Sequence, residues 1–144
     1  MTSPGRHELF VYGTLRHGQE RFRLIAPVVA GLRAGRTRGR LFHLPFGYPV
    51  LVEAETGWVH GELFRFREPM EEVLAVCDGI EGYEPDDEAA SLFIRVVTEV
   101  EPAEVEPVEA WCYCLGPTWR DALLRWSHEI PDGDWLAFRR RKRT

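Results

Sequence analysis

Leu92-Phe93-Ile94-Arg95-Val96-Val97-Thr98-Glu99-Val100, a Glu/Pro/Val stretch over 101–108, and Val108-Glu109-Ala110-Trp111-Cys112-Tyr113-Cys114-Leu115 form the part of the chain most telling about its fold. In the first segment Leu92, Ile94, Val96, Thr98 and Val100 recur at every second position. In the second, Val108, Ala110, Cys112 and Cys114 do the same, opposite Trp111, Tyr113 and Leu115. A period of two places alternate side chains on opposite faces of a strand. The short stretch between them predicts two strands flanking a loop.

Working outward, Pro69 opens a helix whose Met70, Val73, Leu74 and Cys77 share one apolar face, with Gly79 as its predicted stop. Pro49–Glu53 and Trp58–Phe66 flank Ala54-Glu55-Thr56-Gly57 and read as the arms of a hairpin turning at Gly57. Residues 28–42 read as one long twisted strand or as two strands with a bend. Leu9–Tyr12 reads as a buried strand ending at Gly13, followed by a loop and a short helix over Gln19–Ala26. A last helix is expected from Pro117 to about Ser127, with Trp119, Leu123 and Trp126 on one side. The expected fold class is α+β: a small, mixed, largely antiparallel, β-barrel-like sheet with a few short helices. One domain is expected over residues 1–138, with 139–144 a basic, disordered tail.

The chain has 144 residues, 44% apolar and 28% charged, enough to bury a core without disulfide or metal staples. Its longest apolar run, Leu24 to Leu32, is about half the ~20 residues of a membrane span and is broken by Pro27 and Gly31. The first eight residues lack the apolar segment of a secretory signal, so a soluble, cytoplasmic protein with no membrane partner is expected. Cys77, Cys112 and Cys114 are odd in number and lack Cys-x-x-Cys spacing, which suits reduced thiols. None of the five histidines has metal-ligand spacing, and no metal or cofactor is expected. Residues 1–40 hold eight Arg against two acids, and Arg139-Arg140-Arg141-Lys142-Arg143 is a basic run, yet the pI near 5.6 argues against a nucleic-acid partner.

Two segments could carry chemistry. In Phe10-Val11-Tyr12-Gly13-Thr14-Leu15-Arg16 a strand runs into a glycine turn, which leaves backbone N–H groups free to hold a carboxylate or a developing oxyanion. In Cys77-Asp78-Gly79-Ile80-Glu81-Gly82-Tyr83 a carboxylate stands between Ile80 and Gly82 at a helix exit. Desolvation there would raise the Glu81 pKa from about 4.3 toward neutrality and suit it to general acid–base work. On the residues alone a blander reading stays open: Gly13 merely turns the chain, Tyr12 fills core and Glu81 is a solvated turn acid.

Taken together, Val11-Tyr12-Gly13-Thr14-Leu15-Arg16, Tyr48-Pro49-Val50-Leu51-Val52, Val59-His60-Gly61-Glu62-Leu63, Asp78-x-x-Glu81-Gly82-Tyr83, Arg95-Val96-Val97 and Gly133-Asp134-Trp135 resemble the γ-glutamyl cyclotransferase-like family across residues 9–135. The resemblance implies a cavity at the loop Tyr12, Gly13, Thr14 and Leu15 that binds a small γ-glutamyl substrate. It implies Glu81 as the single essential carboxylate, and closure of a γ-glutamyl amine or amino acid to 5-oxoproline with release of the amine. Two departures stand out: Phe93 occupies a position where the family commonly has Tyr, and Cys77 replaces an apolar Leu. The acidic stretch Pro85–Ala90 could reshape the pocket mouth. The competing class is a non-catalytic small-molecule or protein-binding domain that keeps the cavity.

Overall fold

The computed structural model describes residues 7–103 and 105–142. Its strands are β1 (Glu8–Val11), β2 (Val29–Arg38), β3 (Arg40–His43), β4 (Pro49–Val52), β5 (Trp58–Phe66), β6 (Phe93–Pro102), β7 (Val108–Leu115) and β8 (His128–Glu129). Its helices are α1 (Met70–Glu81), α2 (Arg120–Leu124) and α3 (Trp135–Lys142). Strands β1-β5-β2-β6-β7 form a closed barrel, and β4-β3-β8 form a second small sheet. The β6 and β7 alternation produces an antiparallel pair in the register Ile94↔Cys114, Val96↔Cys112 and Val100↔Val108. The barrel closes where β1 runs parallel to β7, Leu9 opposite Trp111 and Phe10 opposite Cys112.

With β5 on one side and β7 on the other, all four residues of β1 are buried. The core has two parts. Phe10, Val59, Leu63, Val100, Ala110 and Cys112 pack with Trp135, while Leu9, Val11, Phe64 and Leu115 pack against Val73 and Cys77 of α1. Each large apolar side chain so buried contributes roughly 1.5–3 kcal/mol. Glu8, although buried, receives the Arg33 guanidinium at 3.0 Å. The three cysteines are buried free thiols. Among the described residues no helix is long and apolar enough to cross a membrane.

Several expectations are corrected. β4 and β5 are not the arms of one hairpin: β5 pairs with β1 and β2, whereas β4 pairs with β3, Leu41 opposite Leu51. The turn that closes a hairpin here lies at 44–48, where Leu44 N–H donates to the Tyr48 carbonyl at 3.0 Å and Gly47 takes φ +94°. Of the two readings of residues 28–42, the one with two strands and a bend is the one that forms, β2 and β3 meeting at Gly39. The segment 19–26 holds only short 3-10 turns, because the Arg21 N–H donates to the Thr14 carbonyl at 2.9 Å instead of propagating a helix, and Pro27 lacks a donor. Helix α1 passes through Gly79 and ends at Gly82, whose φ of +72° is the left-handed conformation that terminates helices.

α2 is a short segment that leaves Trp119 44% and Trp126 73% exposed rather than packing both on one buried side. At the C-terminus, residues 139–142 continue α3 where a disordered tail was expected. Arg139 stacks over the Trp135 ring, donates to Gln19 Oε1 at 2.9 Å and pairs with Glu20, giving this turn tertiary partners. Residues 143 and 144 of the expected tail lie outside the described residues.

Candidate active site

β1 delivers the chain to the turn at residues 13–16, closed by Arg16 N–H donating to the Gly13 carbonyl at 3.0 Å. Gly13 is required for space: a Cβ there would stand 2.7 Å from Pro49 Cγ. No backbone carbonyl among the described residues accepts from the N–H of Gly13, Thr14 or Leu15, so three donors remain at this turn. The Tyr12 hydroxyl, by contrast, is committed. It donates to the Tyr113 carbonyl at 2.7 Å and accepts from Leu51 N–H at 3.1 Å, tying β1 to β7 and β4.

Glu81 closes the other side. It is the last residue of α1, and its side chain is 8% exposed. Tyr12, Gly13, Thr14, Leu15 and Glu81 line one cavity, with Tyr48, Phe93 and Tyr113 completing the wall. Its inner part has a volume of about 30 Å³, room for roughly a carboxylate or a few waters. It opens into a depression of about 420 Å³ that shares Thr14, Arg21, Tyr48, Glu81 and Phe93.

Arg21 spans the two halves. Its Nε donates to Thr14 Oγ1 at 2.8 Å, Nη1 to the Ile80 carbonyl at 3.1 Å, and Nη2 lies 3.4 Å from both Glu81 oxygens. Burial pushes the Glu81 pKa above its ordinary 4.5, while the Arg21 charge and hydrogen bond pull it down; burial is the larger effect. The result is a carboxylate that is more basic than a solvated one yet held in a defined place.

One turn earlier on α1, Asp78 anchors the helix end. It accepts from the Tyr113 hydroxyl at 2.5 Å and faces Arg95 Nε at 3.4 Å, so strands β6 and β7 both hold the turn that presents Glu81. Burial and the bond to Asp78 keep Tyr113 protonated, its pKa raised well above the phenol range. Tyr48 offers a hydroxyl with no hydrogen-bond partner among the described residues, and burial with the nearby Glu81 charge raises its pKa against the effect of Arg21.

Residues 84–90 line neither the cavity nor its mouth. The Tyr83 hydroxyl donates to Glu88 Oε2 at 2.6 Å and Ser91 Oγ receives Glu84 N–H at 2.9 Å, which fold that acidic loop onto itself. Phe93 lines the cavity with a ring and no hydroxyl. Sequence reasoning missed Arg21 and did not separate Tyr48 from its motif. A lone unpaired-looking Arg in a segment rich in Arg carries no periodic signal. Among the described residues no group of three or more His, Cys, Asp or Glu is placed to hold a metal ion.

No curated protein sequence matches this chain. Among solved structures, it resembles YkqA of Bacillus subtilis (TM-score 0.61, 23% identity, 94% of this chain but 40% of that one). It also resembles an AIG2-like protein of Mus musculus (TM-score 0.63, 21% identity, 86% of each chain). A third is a structure described as gamma-glutamyl cyclotransferase (TM-score 0.55, 16% identity, 76% of this chain and 66% of that one). At these identities the likeness establishes the fold. The sequence model described as gamma-glutamyl cyclotransferase, AIG2-like, matches residues 9–137, nearly the whole chain, and on that match the protein belongs to this family.

Proposed function

We propose that this protein closes a γ-glutamyl amine or γ-glutamyl amino acid to 5-oxoproline and releases the amine. The α-amino nitrogen of the glutamyl group attacks its own side-chain carbonyl carbon. A C–N bond forms, the carbonyl oxygen becomes an oxyanion, and the bond to the leaving nitrogen then breaks. Both reacting groups belong to one molecule, so the protein's task is to select the folded-back conformer and move protons, which needs no metal or cofactor. Glu81 takes the proton from the attacking ammonium and returns it to the leaving nitrogen, a role worth about 10²–10⁴-fold in rate. The N–H groups of Gly13, Thr14 and Leu15 receive the substrate carboxylate or the oxyanion, each such bond worth roughly 3 kcal/mol in the transition state. Buried free thiols suit a reducing, cytoplasmic setting.

The observation that carries this reading is the meeting of a donor-bearing turn with a buried, more basic carboxylate in one cavity. Glu81→Gln preserves size and hydrogen bonding but cannot act as a base. Its 5-oxoproline release should fall at least ~10²-fold, while Glu84→Gln, in the exposed loop, retains activity. Activity kept in Glu81→Gln and lost in Glu84→Gln would move the role along the chain. No turnover of any γ-glutamyl compound by the unmodified protein would favour the binding-domain reading, to which Phe93, lacking a hydroxyl at the cavity wall, lends its weight.

A further inference from the structure

The inner chamber is small and opens past Thr14, Tyr48, Glu81 and Phe93 into the outer depression of about 420 Å³, so a glutamyl carbonyl placed at Glu81 sends its leaving amine into that depression. One wall of that depression is a series of three rings. Phe46 and Tyr48 have centroids 5.9 Å apart, and Tyr48 and Phe93 6.1 Å, with interplanar angles of 32° and 40°. The series runs from surface to cavity: Phe46 is 62% exposed and Phe93 6%. The 44–48 turn is closed by backbone bonds, Leu44 N–H to Tyr48 O and Gly47 N–H to Leu44 O, neither of which needs an aromatic at its tip. Ile80 and Leu92 extend the apolar lining.

The charges of this mouth are already engaged. Arg21 faces Glu81 at 3.4 Å, and Glu20 is paired with Arg139. A carboxylate or second ammonium on the leaving group would meet there only Arg21 and Glu20, each already in an ion pair, whereas an apolar ring would gain contact area and stacking.

We infer that the site selects γ-glutamyl conjugates of apolar, above all aromatic, amines, and that Phe46 sets this preference. The inference rests on the cyclotransferase reading and names its substrate class. The test compares kcat/KM for 5-oxoproline release from the γ-glutamyl conjugates of benzylamine, methylamine and the lysine ε-amine. The benzylamine conjugate should exceed the methylamine conjugate by about tenfold, with the lysine conjugate no better than methylamine. Phe46→Ala should bring the benzylamine-to-methylamine ratio to within about threefold of unity, and Phe46→Trp should restore it. A ratio near one in the unmodified protein, a lysine preference, or a ratio unmoved in Phe46→Ala overturns the inference and leaves the cyclotransferase reading intact. Release from none of the three conjugates removes that reading, and the inference with it.

Discussion

Arg21 holds Glu81 from sixty residues away in sequence: its Nη2 sits 3.4 Å from both carboxylate oxygens, while its Nε is fixed on Thr14 Oγ1. The same cation therefore joins the donor turn to the carboxylate and tempers the carboxylate's basicity, opposing the rise that burial imposes.

Arg21→Gln should raise the Glu81 pKa further, because the opposing positive charge is gone. If the carboxylate form is the base, activity rises with pH as Glu81 loses its proton. The acidic limb of the kcat/KM profile should then move to higher pH in the variant, with a larger loss at pH 6 than at pH 8. A uniform loss with an unmoved inflection would assign Arg21 to substrate binding alone.

Glu81 also carries a stability signature. Its folded-state pKa lies above its unfolded value, so it favours the fold when protonated, and that contribution is lost as pH rises from about 4.5 through the raised folded value. In that window the folded state binds the extra proton and stability falls with pH. Glu81→Gln lacks this loss. The melting temperature of the variant minus that of the unmodified protein should therefore grow as pH increases across the window and then level off; a pH-independent difference would contradict the buried, more basic carboxylate.

Two tyrosines at the cavity should separate cleanly. Tyr12→Phe removes two buried hydrogen bonds, to the Tyr113 carbonyl and from Leu51 N–H, and should cost about 2 kcal/mol in denaturant unfolding. Tyr48→Phe removes a hydroxyl without a protein partner among the described residues and should change stability little while lowering 5-oxoproline release. Equal stability losses would show that the two hydroxyls are not used differently.

Arg139→Ala removes a stacking contact on Trp135 and the bonds to Gln19 and Glu20, which neighbour Arg21. The pairs are partly solvent-exposed, so a loss of about 1 kcal/mol is expected on chemical denaturation. An unchanged midpoint would mean that the last turn of α3 contributes nothing to the fold.

The barrel strands β6 and β7 were legible because apolar or small side chains recur at every second position, from Leu92 to Val100 and from Val108 to Cys114, and α1 because its apolar residues fall at helical spacing. The pairing of β4 was not. Gly47 and Gly57 both adopt positive φ beside β4, and local chemistry does not say which turn closes a hairpin. The choice is tertiary: the Gly39 N–H donates to the Gly57 carbonyl at 3.2 Å where the chain crosses between sheets, and all four β4 residues are buried. The end of α1 was misplaced for a related reason. Gly79 keeps helical geometry, with nothing within 4 Å of its missing Cβ, whereas Gly82 takes the left-handed turn. In the candidate site, Tyr12 to Leu15 and Glu81 were marked by local pattern. Arg21 was not, since its importance comes entirely from partners that folding brings to it.

The parallel contact of β1 with β7 has a temporal side. The first strand of the barrel can complete its hydrogen bonding only after Trp111 and Cys112 exist, so during synthesis one edge of β1 stays open until most of the chain has been made. Loop closure over that span makes the barrel a high-contact-order, comparatively slow-folding unit. An open strand carrying Leu9, Phe10 and Val11 is a template for pairing with other nascent chains. Ribosome-bound chains ending before β7 should therefore depend on chaperone cover more than chains that include it.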